Sequence, residues 1–214
     1  MSIFDLRLRS TNHHKKYWQN RVLDWEKERY TTWNHPHRFV ISAVLKTFNW
    51  FSLLEVGCGA APNLVNIVRK IGGKQLGGID INPQAIEAAQ KILTNGFFKV
   101  NTADDIMMSD KCTDVVLTDM CLIYYGPRRI KKVLQELKRI GRTHLILCEF
   151  HSTKWWKRQW LRLTTGYHSY NYKRLLKNEG FYDILSYKLK PEDWDGFEPQ
   201  RTFGYIFVAR IPKY

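Results

Sequence analysis

The chain has 214 residues, of which 44% are hydrophobic and 25% charged; this suits one globular domain with a sizeable core and excludes a chain that is disordered throughout. Lys and Arg total 34 against 20 Asp and Glu, a net charge of +14 that favours a polyanionic partner (nucleic acid, anionic lipid or a phosphorylated substrate) without choosing among them. No apolar run approaches the roughly 18 to 20 residues needed to span a bilayer, and residues 1–10 lack the apolar stretch of a secretory signal, so a cytoplasmic protein is expected.

Residues 13–30 are polar with aromatic punctuation at Tyr17, Trp18, Trp25 and Tyr30, a spacing that predicts an amphipathic helix. Asn34-His35-Pro36 breaks it. Pro36 suits a first helical position, and Phe39, Val40, Val44, Leu45 and Phe48 follow on a second helix. His35 and His37 are spaced like metal ligands, but no further ligand is near them in sequence.

From Phe51 the pattern changes. Ser52 to Val56 is a short apolar run ending in glycines, the mark of a buried parallel strand. A helix over 63–71 and a strand over 75–81 follow. Asn82-Pro83 supplies an N-cap and a first-turn proline for the next helix, with Ala85, Ile86, Ala89, Ile92 and Leu93 on its apolar face. Strands are expected at 96–100, 114–118 and 144–150. The helix at 128–140 has Ile130, Val133, Leu134, Leu137 and Ile140 on one face and basic residues on the rest, with Gly141 as its stop. A helix over 170–178 and strands over 181–188 and 202–211 close the chain. Alternating strands and helices followed by a strand pair predict a doubly wound, mostly parallel α/β sheet, with an antiparallel partner at one edge.

The segment Glu55-Val56-Gly57-Cys58-Gly59-Ala60-Ala61-Pro62 carries the chemistry. A strand must turn sharply into a helix, and glycines let a ligand approach the main chain. Pro62 stands where a dinucleotide fingerprint has its third glycine. Glu55 sits poorly with a pyrophosphate, which wants positive potential, and suits a ligand carrying an ammonium and a sulfonium. Asp80 lies at the end of the second strand, 21 residues after Gly59, where a carboxylate can accept from both hydroxyls of a ribose. Asn101-Thr102-Ala103-Asp104-Asp105 follows the third strand, with polar groups able to read an adenine edge.

In this order the motifs resemble the class I S-adenosylmethionine-dependent methyltransferases, especially the type 11 group. The resemblance covers about residues 50–150. It implies a seven-stranded Rossmann-like sheet with one antiparallel strand near an edge. It implies that Glu55, Gly57, Gly59 and Ala60 hold the methionine part of S-adenosylmethionine, that Asp80 takes the ribose and that Ile81 packs on adenine. The Gly-Asp-Ala common in that family is Asn101-Thr102-Ala103 here, so the adenine contact falls among Thr102, Ala103 and the shifted Asp104. Asp119, at the tip of the fourth strand, matches a position that lines the methyl-donor pocket. The whole chain reads as one methyltransferase domain: a helical cap over 1–50, a cofactor-binding core over 51–150, and a substrate-cover segment with closing strands over 151–214.

An oxygen or nitrogen acceptor often needs a general base. Asp119, Tyr124, Tyr125, Glu149 and His151 stand near the strand tips, and His151 and Tyr124 are the favoured substrate-side groups. The fourth strand lacks the Asn/Asp-Pro-Pro-aromatic motif of adenine amino-methylases, and Cys121 lacks the proline that precedes the cysteine of 5-methylcytosine enzymes. A small-molecule or lipid-like acceptor is therefore expected, with other RNA methylations, a non-catalytic binding module and an NAD oxidoreductase as alternatives. The segment 153–163 has four basic residues, three tryptophans and no acid, which fits a packed lid, an anionic membrane surface or an RNA-stacking face. The four cysteines form no C-x-x-C pair, so free thiols and no disulfides are expected.

Overall fold

In the computed structural model, which describes residues 11–22, 24, 34–194 and 202–213, the apolar runs assemble into one seven-stranded sheet. Its strands are β1 (Ser52–Val56), β2 (Gln75–Asp80), β3 (Phe97–Val100), β4 (Thr113–Asp119), β5 (Gly141–Phe150), β6 (Tyr182–Lys188) and β7 (Gly204–Arg210). The spatial order is β3-β2-β1-β4-β5-β7-β6. The first five strands run parallel, and all five residues of β1 are buried between β2 and β4.

The helices are α1 (Thr11–Gln19), α2 (Pro36–Leu45), α3 (Pro62–Lys70), α4 (Pro83–Ile92), α5 (Ile130–Ile140), α6 (Trp155–Thr165) and α7 (Tyr172–Asn178). They cover both faces of the sheet. One core cluster joins Leu54 and Val116 of the sheet to Leu134 of α5 and Leu176 of α7. The other joins Leu117 and Ile146 to Ile41 of α2, Leu64 of α3 and Ile86 of α4. The five apolar residues of α5 are at most 3% exposed, each contributing about 1.5–3 kcal/mol through burial.

The predicted elements recur, with four differences. The expected helix over 13–30 is α1, ending at Gln19; Trp25 and Tyr30 lie outside the described residues. Gly141 does not cap α5 in a left-handed turn. It is extended (φ −84°, ψ 143°) and opens β5 directly; a side chain there would strike Ile211 and Val116. Residues 155–165, which give no helical apolar stripe facing a core, nonetheless form α6. The antiparallel strand lies one place in from the edge rather than at it, in the edge region the resemblance implies: β7 is inserted between β5 and β6 and runs antiparallel to both. Strand order reverses between β1 and β4, which makes the carboxyl ends of these two strands the place where an open α/β sheet forms its crevice.

Candidate active site at the β1 and β4 tips

The glycine loop is bent onto the neighbouring strand by two bonds: the amides of Gly57 and Cys58 donate to the Ile79 carbonyl at 2.8 and 3.0 Å. Gly57 has φ +79°, and a Cβ there would lie 2.5 Å from Cys121 Sγ. Only glycine fits both the backbone and the space. Ala61, in a left-handed conformation at φ 64°, swings the chain into α3, where Pro62 takes the first turn.

Asp80 stands across from the loop. Its Oδ2 accepts from the Gly59 amide and its Oδ1 from the Asn82 amide, both at 2.9 Å. Burial pushes its carboxyl above the usual value, opposed by those amides. Asn82 caps α4, accepting from Gln84 and Ala85, and its Nδ2 donates to the carbonyls of Trp18 and Arg21 at 2.8 Å each. The end of α1 is thereby fastened above the loop, with Trp18 packed against Ala60 and Ala85.

Below the loop lies a buried polar cluster. Asn63 of α3 donates to Glu55 Oε1 at 2.6 Å and to Asp119 Oδ2 at 3.0 Å. Arg38 of α2 donates to the same Asp119 oxygen at 3.0 Å and to Asn63 Oδ1 at 3.1 Å, and His37 Nε2 lies 2.8 Å from it. Burial raises the Asp119 carboxyl, but His37, Arg38 and Asn63 outweigh it and hold it well below the carboxylate range. Burial instead pushes Glu55 up to about 8, with Asn63 as the main opposing group. Glu55 Oε2 and Asp119 Oδ1 are buried without a hydrogen-bond partner. His37, Asp119 and Cys148 offer ligand atoms within 4.8 Å of one another. Arg38 Nη1 already stands 3.2 Å from His37 Nε2, so a guanidinium holds the position of positive charge.

At the β3 tip the Asn101 amide donates to the Asp80 carbonyl at 2.9 Å, which sets residues 101–104 beside Asp80 and the half-buried Ile81. The amide of Ala103 donates to the Tyr125 hydroxyl at 3.2 Å. Thr102 is bridged to Asp105. Asp104 is paired with Arg129, so its carboxylate is committed to α5. Asn101 Nδ2 is a buried donor without a partner.

On the far side of β4, Tyr124 ends a short turn (Leu122–Tyr124) and packs edge-on against Trp18 and Tyr167. Burial holds its hydroxyl protonated, well above its ordinary value. Glu149 is a tie: its Oε1 accepts from Thr118 Oγ1 and from the amides of Cys121 and Leu122. Burial pushes it up to about 8, with those donors opposing. His151 packs against Tyr205 and Phe207, its Nδ1 accepting from the Tyr172 amide at 3.2 Å. Burial lowers it to about 4, so the ring is neutral at physiological pH.

The residues expected at the donor site thus converge: Glu55, Gly57, Gly59, Ala60, Asp80 and Asp119 all border the crevice. Arg38 and Asn63 were not foreseen. Neither belongs to a loop motif, and a polar residue on an amphipathic helix reads as solvated until the packing of that helix is known.

The family profile described as "Methyltransferase domain" matches residues 53–144, the stretch from β1 into β5 that builds this crevice. Residues 53–144 therefore form a methyltransferase domain. No curated protein matches it. Among solved structures, the PH0226 protein from Pyrococcus horikoshii OT3 is similar with a TM-score of 0.65 at 15% identity, over 88% of this chain and 98% of that one. The plantazolicin methyltransferase BpumL, in complex with a pentazolic desmethylPZN analog and SAH, gives 0.62 at 13%, over 99% and 98%. The [4+2]-cyclase SpnF gives 0.67 at 16%, over 88% and 86%; a shared fold alone therefore does not fix the reaction.

The methyl donor of such a domain is S-adenosylmethionine, and the crevice fits it. Of the three buried carboxylate oxygens that lack a partner, on Glu55, Asp119 and Glu149, the first two lie beneath the glycine loop and suit a ligand bearing an ammonium and a sulfonium, while the Asn101 side-chain amide is a spare donor for a purine edge. All four cysteines are free thiols. Among the described residues, no helix is long and apolar enough to cross a membrane.

Proposed function

We propose that the chain is a cytoplasmic enzyme that methylates a small-molecule or lipid-like acceptor, with S-adenosylmethionine as donor. The observation that carries this reading is the pair of partnerless buried carboxylate oxygens on Glu55 and Asp119 beneath the glycine loop. Leaving such atoms unpaired is costly, on the order of 1–3 kcal/mol each, and a cationic ligand recovers that cost. Gly57, Gly59 and Ala60 leave room for the ligand's main axis, Asp80 accepts from its ribose, Ile81 covers one face of adenine, and Thr102 and Ala103 border the ring. Asp104 serves by fixing that loop to Arg129, and Arg38 supplies the positive charge a methionine carboxylate needs.

When bound, the donor supplies a methyl group already activated on sulfur, so the protein's part is chiefly orientation, worth several kcal/mol. The acceptor side is apolar. Ile123, Phe150, Leu161 and Phe203 form a cluster there, with Met120, Tyr124 and Tyr167 packed against it, which supports an acceptor with a substantial hydrocarbon or ring surface. Tyr124 lines that side beside Tyr167, and the neutral His151, whose Nδ1 accepts from the Tyr172 amide, keeps its proton on Nε2 and donates it as a hydrogen bond that orients the acceptor. Residues 151–214 supply the cover.

A screen with methyl-labelled donor against lipid extracts, small hydroxylated or amino metabolites and RNA tests this reading. Label in the lipid or small-molecule fraction is expected, with Tyr124→Phe and His151→Gln lowering kcat by about 10-fold to 100-fold. Label only in RNA would contradict it.

A further inference from the structure

The helix α6 leaves its tryptophans largely in solvent, with one side of the Trp160 ring stacked on Phe203 at 6.2 Å between centroids. Trp155 is 67% exposed, Trp156 52%, Trp160 45% and Leu163 66%. Leu161 is the one residue of the helix that is buried. Trp156, Trp160 and Leu163 stand at i, i+4 and i+7, so at about 3.6 residues per turn they form a continuous outward stripe. Basic residues flank it. Lys154 and Lys157 reach over the Trp156 ring, at 5.8 and 5.5 Å from its centroid, and Arg162 emerges on the other side. Arg158 is turned back to the carbonyls of Ser152 and Thr153. The stretch 153–163 contains no acid. A packed lid would have buried these rings; the structure leaves three of them facing solvent.

We propose that α6 is a docking helix for an anionic lipid bilayer, with Trp156, Trp160 and Leu163 entering the headgroup boundary and Lys154, Lys157 and Arg162 meeting lipid phosphates and carboxylates. Tryptophan favours that boundary because its ring is apolar and its N–H finds acceptors there. Lysine and arginine lay their stems along apolar surface and keep their charges among the headgroups. Charge complementarity selects the anionic surface, on a chain whose net charge is +14. Single-stranded RNA fits less well. It needs a groove with rings as stacking platforms, whereas this face is the outer side of a single helix whose stripe ends in an aliphatic leucine.

The underside of α6 gives the docking a consequence. Leu161 packs into the cluster with Ile123, Phe150 and Phe203, so the helix that would meet the bilayer also walls the acceptor side of the crevice. That a lipid surface delivers the acceptor rests on the functional reading above; the docking itself does not.

Co-sedimentation of the full chain with phosphatidylcholine vesicles, with and without phosphatidylserine, tests the proposal, alongside calorimetric titration of S-adenosylmethionine into the same samples. Binding to the anionic vesicles is expected, weakening about 10-fold or more without phosphatidylserine, in Trp156→Ala/Leu163→Ser and in Lys157→Glu/Arg162→Glu. Donor affinity should be unchanged in both variants, because all four side chains lie on the outer surface of α6 and none borders the glycine loop. No vesicle binding at low salt, or binding indifferent to both variants, would overturn the proposal. So would capture of an oligoribonucleotide, or formation of a dimer, that depends on Trp156 and Leu163 while vesicles are ignored. Vesicle binding without donor binding would support the docking and contradict the methyltransferase reading.

Discussion

Gly57 is the residue where backbone and packing demands coincide. Alanine there would need a left-handed conformation and a Cβ within 2.5 Å of the Cys121 sulfur. Gly57→Ala should cost about 2–4 kcal/mol of stability in chemical denaturation and remove donor binding. Glu149 tests a different property. Its carboxyl is raised from 4.5 to about 8, so the unfolded chain ionises first. The stability it lends is complete at low pH and is lost as pH rises across that window, by at most about 1.4 kcal/mol per pH unit for one proton. Glu149→Gln keeps the three accepted bonds and should flatten this slope in denaturation curves. Glu149→Ala should simply destabilise, by roughly 2–3 kcal/mol. Asp119 runs the other way: its carboxyl is held low, so its contribution is present above the ordinary carboxylate value and disappears only in acid. Glu55, Gly57 and Gly59 stood out in the sequence because a ligand loop confines them to a few consecutive positions, and Asp80 because it ends the next strand. Glu149 was read as a candidate base, since nothing local reveals that three donors from the β4 tip and the turn after it converge on it.

At the scale of elements, Asn82 joins two parts of the fold through the two ends of one amide. Its oxygen caps α4, and its nitrogen holds the end of α1 over the crevice. Asn82→Asp keeps the acceptor and loses the donor; Asn82→Ala loses both. Alanine should cost about 1–2 kcal/mol as a lost cap. Aspartate should leave stability nearly intact while speeding hydrogen exchange in residues 15–22. Equal exchange in both variants and the wild type would mean that α1 is held by other contacts. The cap was legible from Asn82-Pro83, but the tether was not, because it spans over 60 positions. The helix α6 was legible only in part, as a membrane-surface helix among three readings of residues 153–163. Helical periodicity is read from an apolar stripe facing a core, and the stripe of α6 faces outward.

For the whole molecule, the alternation of strands and helices gave the class and the parallel core, while the insertion of β7 between β5 and β6 had no local signal. A strand carries the pattern of its burial, not the identity of its neighbours. The sheet order in turn sets the site, because the reversal between β1 and β4 puts Glu55 and Asp119 on adjacent strands, two register positions apart and bridged by Asn63. The central claim is that this crevice was built for a cationic adenosine ligand. Calorimetric titration with S-adenosylmethionine across pH tests it most directly. A positive charge against Glu55, whose carboxyl stands at about 8 in the free protein, favours its ionised form. Binding at neutral pH should therefore release a proton and strengthen as pH rises toward that value, and Glu55→Gln should abolish both effects. Absence of saturable binding, or binding of NAD in its place, would contradict the account.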